Sequence, residues 1–382
     1  MNYTIALLLI TILQLQAKAQ RVRFDLYSAM DGQMELSDGV FTNFWGYGFV
    51  GEEMTMPAPK LMVQTGDTVD VVMFNVSNES HTIHLHGLDV DQVNDGVPQT
   101  SFYVITGDSA TYSFVAKYPG TYLYHCHVTT TQHLTMGMYG MLVVKEPGGV
   151  LYANGPAYQQ ERDFLFSDLE VRVNDDPMSS FPFHTIRPDH FMVNGRSGAQ
   201  LQQDQRLWIE ANAGEQVALR LANIGYTLVR CVFPPGANAT VHMSDGRILP
   251  LAFASDTLEI YPGERFSVLL APDVDITGSL QVDHYSMLDG TLQGSNAIPV
   301  GVGIRALPGR PSWRVAPNPA QDAVVLTVGD DGGLVRWITA DGRLVREDRL
   351  VYGVNRIDLS GMAPGLYMLH GAQGFTSRIV VQ

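Results

Sequence analysis

Between residues 81 and 133, six histidines surround a single cysteine. They form two groups. The first is His81-Thr82-Ile83-His84-Leu85-His86-Gly87; the second is His125-Cys126-His127, followed by His133, Met136 and Met138. Imidazole nitrogen and thiolate sulfur are metal ligands. Two imidazoles, one thiolate and a weakly held methionine make the trigonal donor set of a blue copper site, and soft sulfur favours copper over oxygen-loving metals. His81, Cys126 and His133 are assigned as its strong ligands. Met138, five residues after His133, is the axial choice, with Met136 and Met141 as rivals. His84, His86, His125 and His127 remain as an all-imidazole set that suits copper, zinc or iron.

The spacing gives these residues a direction. In an extended strand, residues two apart share a face. His84 and His86 therefore point one way, and so do His125 and His127. Cys126 points the opposite way, so one strand would serve two sites. His81 stands at an odd offset from His84 and joins the thiolate face if the local strand is regular. Packing alone does not place six histidines around one cysteine at these spacings. For the isolated His184, His190, His242, His284 and His370 a structural role is expected.

The elements that must hold this arrangement read as strands. Lys60–Val63, Thr68–Phe74, Ala110–Val115 and Gly140–Val144 are short apolar segments, separated by turn signals such as Gly66-Asp67, Asn94-Asp95-Gly96 and Pro119-Gly120. That is a β-sandwich rhythm over residues 20–147. After a break at Pro147-Gly148-Gly149, residues 155–305 repeat it, with strands expected at Asp163–Phe166, Val217–Leu221, Leu258–Tyr261 and Phe266–Leu270. A linker at 306–312 leads to a compact β pattern over 313–382. No long helical periodicity is present, and the expected class is all-β.

Composition agrees. Gly 37, Pro 20 and only 16% charged residues suit many short strands and turns, and 382 residues suffice for two or three domains. The net charge of -15 argues against nucleic acid as a partner, since phosphate would be repelled. The apolar run from Ile5 to Leu15, followed by Ala17-Lys18-Ala19, reads as a cleavable secretory leader over residues 1–19, too short to span a bilayer. A secreted or cell-surface protein without a transmembrane segment is expected. Cys231 is expected to be a free, buried thiol, because Cys126 is committed to a metal.

These residues resemble the multicopper oxidases, the laccase-like cupredoxins. The first group resembles that family's H-x-x-H-x-H-G motif, and the second its H-C-H motif with a following histidine and methionine. His84-Leu85-His86-Gly87-Leu88, Asp95-Gly96-Val97-Pro98 and Gly120-Thr121-Tyr122-Leu123-Tyr124-His125 extend the likeness over most of 55–145. The resemblance implies that His81, Cys126 and His133 ligate the type 1 copper, with Met138 axial. It implies that His84 ligates a type 2 copper and that His86, His125 and His127 ligate a type 3 pair. The H-C-H step would then carry electrons between the sites. Residues 155–305 resemble the family's copper-free middle domain through Phe191-Met192-Val193-Asn194-Gly195, Leu219–Asn223 and Ile260–Arg265. The expected architecture is two cupredoxin-like Greek-key β-sandwiches plus a small C-terminal β-sandwich. That last module, through Ala316-Pro317-Asn318-Pro319-Ala320 and Gly361–Tyr367, resembles the sorting domain of type IX secretion substrates, which implies the secretion machinery as a partner.

Two departures shape the functional expectation. The spacer between His127 and His133 is longer than the family's usual one. The second domain has no H-x-H pair and no H-C-H, so one chain offers four cluster histidines where the family uses eight. The expected activity is oxidation of a small reductant (a phenol, an amine or a metal ion) with oxygen reduced to water. The cluster would be shared between two copies of the chain in a homo-oligomer, a dimer across a two-fold; in a second route, a trimer, the second domain of a neighbour would supply single histidines. Two other readings stay open: a non-catalytic blue-copper electron carrier or copper-binding protein, and a nitrite-reductase-like copper enzyme. Asp89, Asp91 and Asp95 are expected as turn residues.

Overall fold

The computed structural model describes residues 19–179, 182–301, 314–328, 333–339, 342–351, 353–371 and 376–382. Apart from Ala19, the expected leader lies outside the described residues, and so does the linker at 306–312. Among the described residues, no helix is long and apolar enough to cross a membrane.

The first module is a pair of four-stranded sheets. Its strands are β1 (Arg21–Glu35), β2 (Phe41–Phe49), β3 (Ala58–Gln64), β4 (Thr68–Asn75), β5 (His84–His86), β6 (Ser109–Val115), β7 (Gly120–His125) and β8 (Tyr139–Lys145). One sheet has the order β2-β1-β4-β6 and the other β3-β8-β7-β5. Period-two patterning explains the register: Val22, Phe24 and Leu26 of β1 and Val69, Val71 and Met73 of β4 enter one core. The two strands run parallel, from Arg21 opposite Thr68 to Ser28 opposite Asn75.

The second sheet is covered on both faces, which decides where the site lies. Leu61, Leu85, Tyr122, Tyr124, Leu142 and Val144 face the first core. Met62, Leu123, Met141 and Val143 face the other way and join Leu165, Leu169, Met192 and Ala222 of the second module in a shared apolar cluster. At about 25 cal/mol per Å² of apolar surface removed from water, such a cluster holds the two modules together.

The second module contains β9 (Gln160–Leu169), β10 (His190–Val193), β11 (Ile209–Glu210), β12 (Val217–Asn223), β13 (Leu228–Val232), β14 (Thr240–Ser244), β15 (Arg247–Ala254), β16 (Thr257–Ile260), β17 (Arg265–Leu270), β18 (Gly278–Tyr285) and β19 (Leu292–Gly301). Its sheets are ordered β10-β9-β12-β17-β14-β15 and β11-β19-β18-β13-β16. Tyr261, expected to end a strand, lies just past β16 because the Pro262-Gly263 turn begins there. Lys60 pairs with Asp163 at 2.5 Å across the module boundary.

The C-terminal residues form two small sheets around Trp337, Val335, Leu369 and Ile379. This module docks on the first one. Arg349 reaches the buried Asp67 carboxylate at 2.5 Å, and Val351 enters the first core. The described helices are short; the longest, α1 (Thr130–Thr135) among them, have six residues. The structure is mostly β with a cupredoxin-like fold, as the sequence patterning predicts.

Candidate metal centre

Cys126 follows directly on β7, and its amide donates to the Met138 carbonyl at 3.0 Å. His81, Cys126 and His133 are each fully buried. The Cys126 sulfur lies 3.1 Å from His133 Nδ1 and 3.7 Å from His81 Nδ1. One ligand atom from each of the three falls within 4.8 Å of the others.

His81 reaches this position by a different route from the one its spacing suggested. The regular strand covers only His84–His86. His81 instead exchanges both backbone hydrogen bonds with Val104, at 3.0 Å each. The loop before it is held by Asn75, whose Nδ2 donates to the carbonyls of Glu79 (2.6 Å) and Val104 (2.8 Å). His133 sits on α1, where its ring and that of Trp45 meet in a T-shaped contact with centroids 5.4 Å apart. The Met138 amide donates to the His133 carbonyl at 2.9 Å. Met136 and Met138 lie in the same core as Cys126, whereas Met141 faces the cluster between modules. The alternation of side chains along β8 thus turns Met141 away from the sulfur.

Burial sets the electrostatics of this group. It pushes His81 down to about 3, with His133 adding to the effect, and His133 down to about 4. It also pushes the Cys126 thiol up. The folded pocket therefore presents neutral imidazoles and a protonated thiol, and a bound cation would displace that proton.

The second group faces the opposite way. His84 and His125 are cross-strand partners on β5 and β7. Ring centroids of His84, His86 and His125 lie 5.1–5.7 Å apart. These three residues each bring a ring nitrogen within 4.8 Å of the others. His127 stands beside them, its ring 5.2 Å from His84 and nearly parallel to His125 at 6.0 Å. Its amide is fixed by Thr82 Oγ1 at 3.0 Å.

Two tautomers follow from the partners. His84 Nδ1 lies 2.7 Å from the Asp95 carbonyl, and His125 Nδ1 lies 2.9 Å from the Cys126 carbonyl. A carbonyl only accepts, so each Nδ1 carries the hydrogen and each Nε2 offers a lone pair. Burial, reinforced by the Arg265 charge, takes His86 down to about 4, and burial takes His125 to about 3. The donor types of both groups, and the fixed tautomers of His84 and His125, fit a metal.

The sequence did not reveal the flanking residues. Gly96 has φ +71°, and a Cβ there would lie 1.9 Å from the Ile83 carbonyl oxygen, so only glycine lets the Asp95 turn close on His84. The second module supplies Arg265, almost fully buried, whose guanidinium covers Gly87 and ion-pairs with Asp245 at 2.7 Å. Gly263 lies against the His86 ring. Glu79, partly exposed, places a carboxylate oxygen 3.4 Å from His133 Nε2. Arg265, Asp245 and Gly263 are remote in sequence from the histidine motifs, and Glu79, though only two residues before His81, carries no spacing signal. Among the expected turn residues, Asp91 caps the short turn at Asn94 and Asp89 pairs with Arg247 at 2.6 Å. Of the isolated histidines, His190 bridges Asp189 and Asp38, and His284 contacts Thr227. Cys231 is a buried free thiol.

The depressed histidines predict a pH dependence for the metal-free protein. Unfolded, each protonates near its ordinary value of 6.5; folded, His81, His86, His125 and His133 do so only near 3–4. Between those values the unfolded chain binds more protons. Their contribution to stability is therefore complete above about pH 6.5 and is lost as the pH falls toward 4, by up to about 1.4 kcal/mol per histidine per unit. The melting temperature should fall over that window. Equal melting temperatures at pH 7 and pH 4.5 would contradict it.

Residues 35–149 match a multicopper oxidase family model, and residues 167–297 match a second model of the same description. The copper-containing nitrite reductase of Neisseria meningitidis serogroup A is 29% identical over 198 residues, 51% of this chain and 48% of that one. The L-ascorbate oxidase of Brassica rapa subsp. pekinensis is 27% identical over 252 residues, 57% of this chain and 42% of that one. The chain thus spans about half the length of the curated relatives it matches. Among solved structures, the blue copper oxidase from Nitrosomonas europaea superposes with a TM-score of 0.61 at 26% identity, covering 74% of this chain and 86% of that one. The two family models together match well over half of the sequence and imply copper, for which both donor groups are suited; the chain belongs to the multicopper oxidase family.

Proposed function

We propose that this chain is an exported copper oxidoreductase that oxidises a small reductant (a phenol, an amine or a metal ion) and delivers the electrons to oxygen. The observation that carries the reading is the back-to-back arrangement across Cys126. Its sulfur faces His81 and His133, while the flanking His125 and His127 face His84 and His86. Copper held by His81, Cys126, His133 and Met138 would supply one-electron transfer, and copper held by the other four histidines would supply the site of acceptor reduction. The chain's own part is to fix tautomers through the Asp95 and Cys126 carbonyls, to exclude water around Cys126, and to join the two groups through the peptides of His125-Cys126-His127. Glu79 stands where a reductant would approach the buried His133.

The cluster is completed, in this reading, by a second copy. The second module lies against His86 through Gly263 and Arg265, and His84, His86 and His127 all stay partly exposed. That leaves an open side for a partner's histidines, across a two-fold or in a trimer. Export would run through the leader and the C-terminal module, which its motifs liken to a type IX sorting domain.

The similarity to nitrite reductases favours a second reading, in which nitrite replaces oxygen as acceptor. The deciding experiment measures copper per chain, visible spectrum and oligomeric mass, with oxygen and nitrite consumption followed in parallel. About 2.5 coppers per chain in a blue dimer that consumes oxygen is the expected result, since two type 1 sites and three cluster coppers would serve two chains. Nitrite consumption without oxygen uptake selects the second reading. One copper per chain and no turnover would leave an electron carrier.

A further inference from the structure

The second module repeats the construction of the first, and the repeat reaches the metal pocket. β1 and β4 pair in parallel, as do β9 and β12. β7 lies between β5 and β8, with β3 parallel to β8; β18 lies between β13 and β19, with β11 parallel to β19. Aligning Gly120-Thr121-Tyr122-Leu123-Tyr124-His125-Cys126-His127 with Gly278-Ser279-Leu280-Gln281-Val282-Asp283-His284-Tyr285 sets His284 at the place of Cys126. The side-chain scaffolding agrees. Asn75 accepts from the Ser77 amide and donates to the Glu79 carbonyl; Asn223 accepts from the Gly225 amide and donates to the Thr227 carbonyl. Thr227 then touches His284 as His81 touches Cys126.

In the second module this place is closed by hydrogen bonds. Asp168, buried, accepts from the amides of Tyr226 (2.9 Å) and Thr227 (3.0 Å) and from the Thr227 hydroxyl (2.6 Å). The Thr227 hydrogen is thereby committed, so His284 Nδ1 donates to its oxygen at 2.9 Å. The chain His284–Thr227–Asp168 fixes the backbone of Tyr226 from behind.

From that anchor the Tyr226 ring reaches the first module. Its hydroxyl lies 3.1 Å from Thr135 Oγ1, at the end of α1 between His133 and Met136. The Thr135 hydroxyl donates to the Thr131 carbonyl at 2.8 Å, so Tyr226 is the donor in the cross-module bond. Two more contacts fall on the same loop. Asn174 Nδ2 lies 3.4 Å from the Thr135 carbonyl, and Gln132 Nε2 donates to the Pro177 carbonyl at 2.5 Å.

We propose that the second module's hydrogen-bonded counterpart of the metal pocket is a brace, in which Tyr226 positions the loop carrying His133, Met136 and Met138 and so tunes the metal held at Cys126. The proposal rests on the copper reading above, and Tyr226 is a positioning residue within it.

The test uses the full chain with Tyr226→Phe, which deletes one hydroxyl, and Tyr226→Phe combined with Thr135→Val. The readouts are hydrogen exchange of the Gly137 and Met138 amides in metal-free protein, the thiolate-to-copper band, and the rate of copper loss to a chelator. Tyr226→Phe should speed exchange and copper loss about five-fold, the value of one hydrogen bond, and shift the band. The cross-module contact is already gone in Tyr226→Phe, so adding Thr135→Val should add only the effect of losing the Thr135 bond to the Thr131 carbonyl. A wild-type band with Tyr226→Phe unchanged in all three readouts overturns the brace alone. A wild type that binds copper without a thiolate band overturns the copper reading, and the proposal with it.

Discussion

Cys126→Ser is expected to abolish the thiolate-to-copper band and to reduce turnover by more than about 100-fold, since even outer-shell changes at a metal site cost 10–100-fold. The Cys126 sulfur is the one donor that becomes anionic in a pocket otherwise made of imidazole and thioether, and it is fully buried. Serine keeps nearly the same volume, so the core around Tyr47, Tyr112 and Tyr124 should remain packed. What it removes is the anionic sulfur that favours copper. It also breaks the link to His125 and His127, which point to the other group. Visible spectroscopy, copper analysis and turnover on one preparation decide the matter. Turnover near the wild-type rate in a band-less Cys126→Ser protein would sink the assigned electron path.

Glu161→Leu is expected to destabilise the second module by about 3–5 kcal/mol, the usual cost of stranding a buried charge. Arg220 is fully buried, and its Nε meets Glu161 Oε1 at 2.5 Å. Burial works to lower the Arg220 pKa, yet the charges of Glu161, Tyr158 and Asp163 and the Glu161 hydrogen bond together outweigh it, and the guanidinium stays protonated. Leucine would leave that cation without its carboxylate. Glu161 also meets Lys145 of β8, so the substitution loosens the contact between the modules. Thermal unfolding should show the melting temperature lower by roughly 6–20 °C. Adding Arg220→Met should recover most of the loss, because replacing a whole buried pair by apolar groups is often neutral. A single variant as stable as wild type would show that the pair contributes nothing.

Much of the site was legible because its chemistry is local. The H-C-H step puts Cys126 and its neighbours on opposite faces by strand geometry alone, and the structure has them so. Period-two alternation placed β4, β6, β8, β12 and β17. His81 reaches the sulfur without the regular strand that its spacing suggested, because the Val104 bridge and the Asn75 side chain bring the ring there. Local spacing favoured Met138 with Met136 and Met141 as rivals, and only the packing of β8 between two cores sets Met141 apart.

The donor types, their division into a thiolate group and an imidazole group, and the repeated sandwich pattern are all written in the order of the residues. These are properties of neighbours along one strand, where the pleat dictates direction. Tertiary structure alone decided what surrounds them. Arg265 and Gly263 close one side of the imidazoles, Trp45 and Glu79 flank His133, and Tyr226 reaches the α1 loop. The partners of that last contact lie 91 residues apart in the chain. Only the packing of one module against the other brings such pairs within hydrogen-bonding distance, and no local periodicity encodes it.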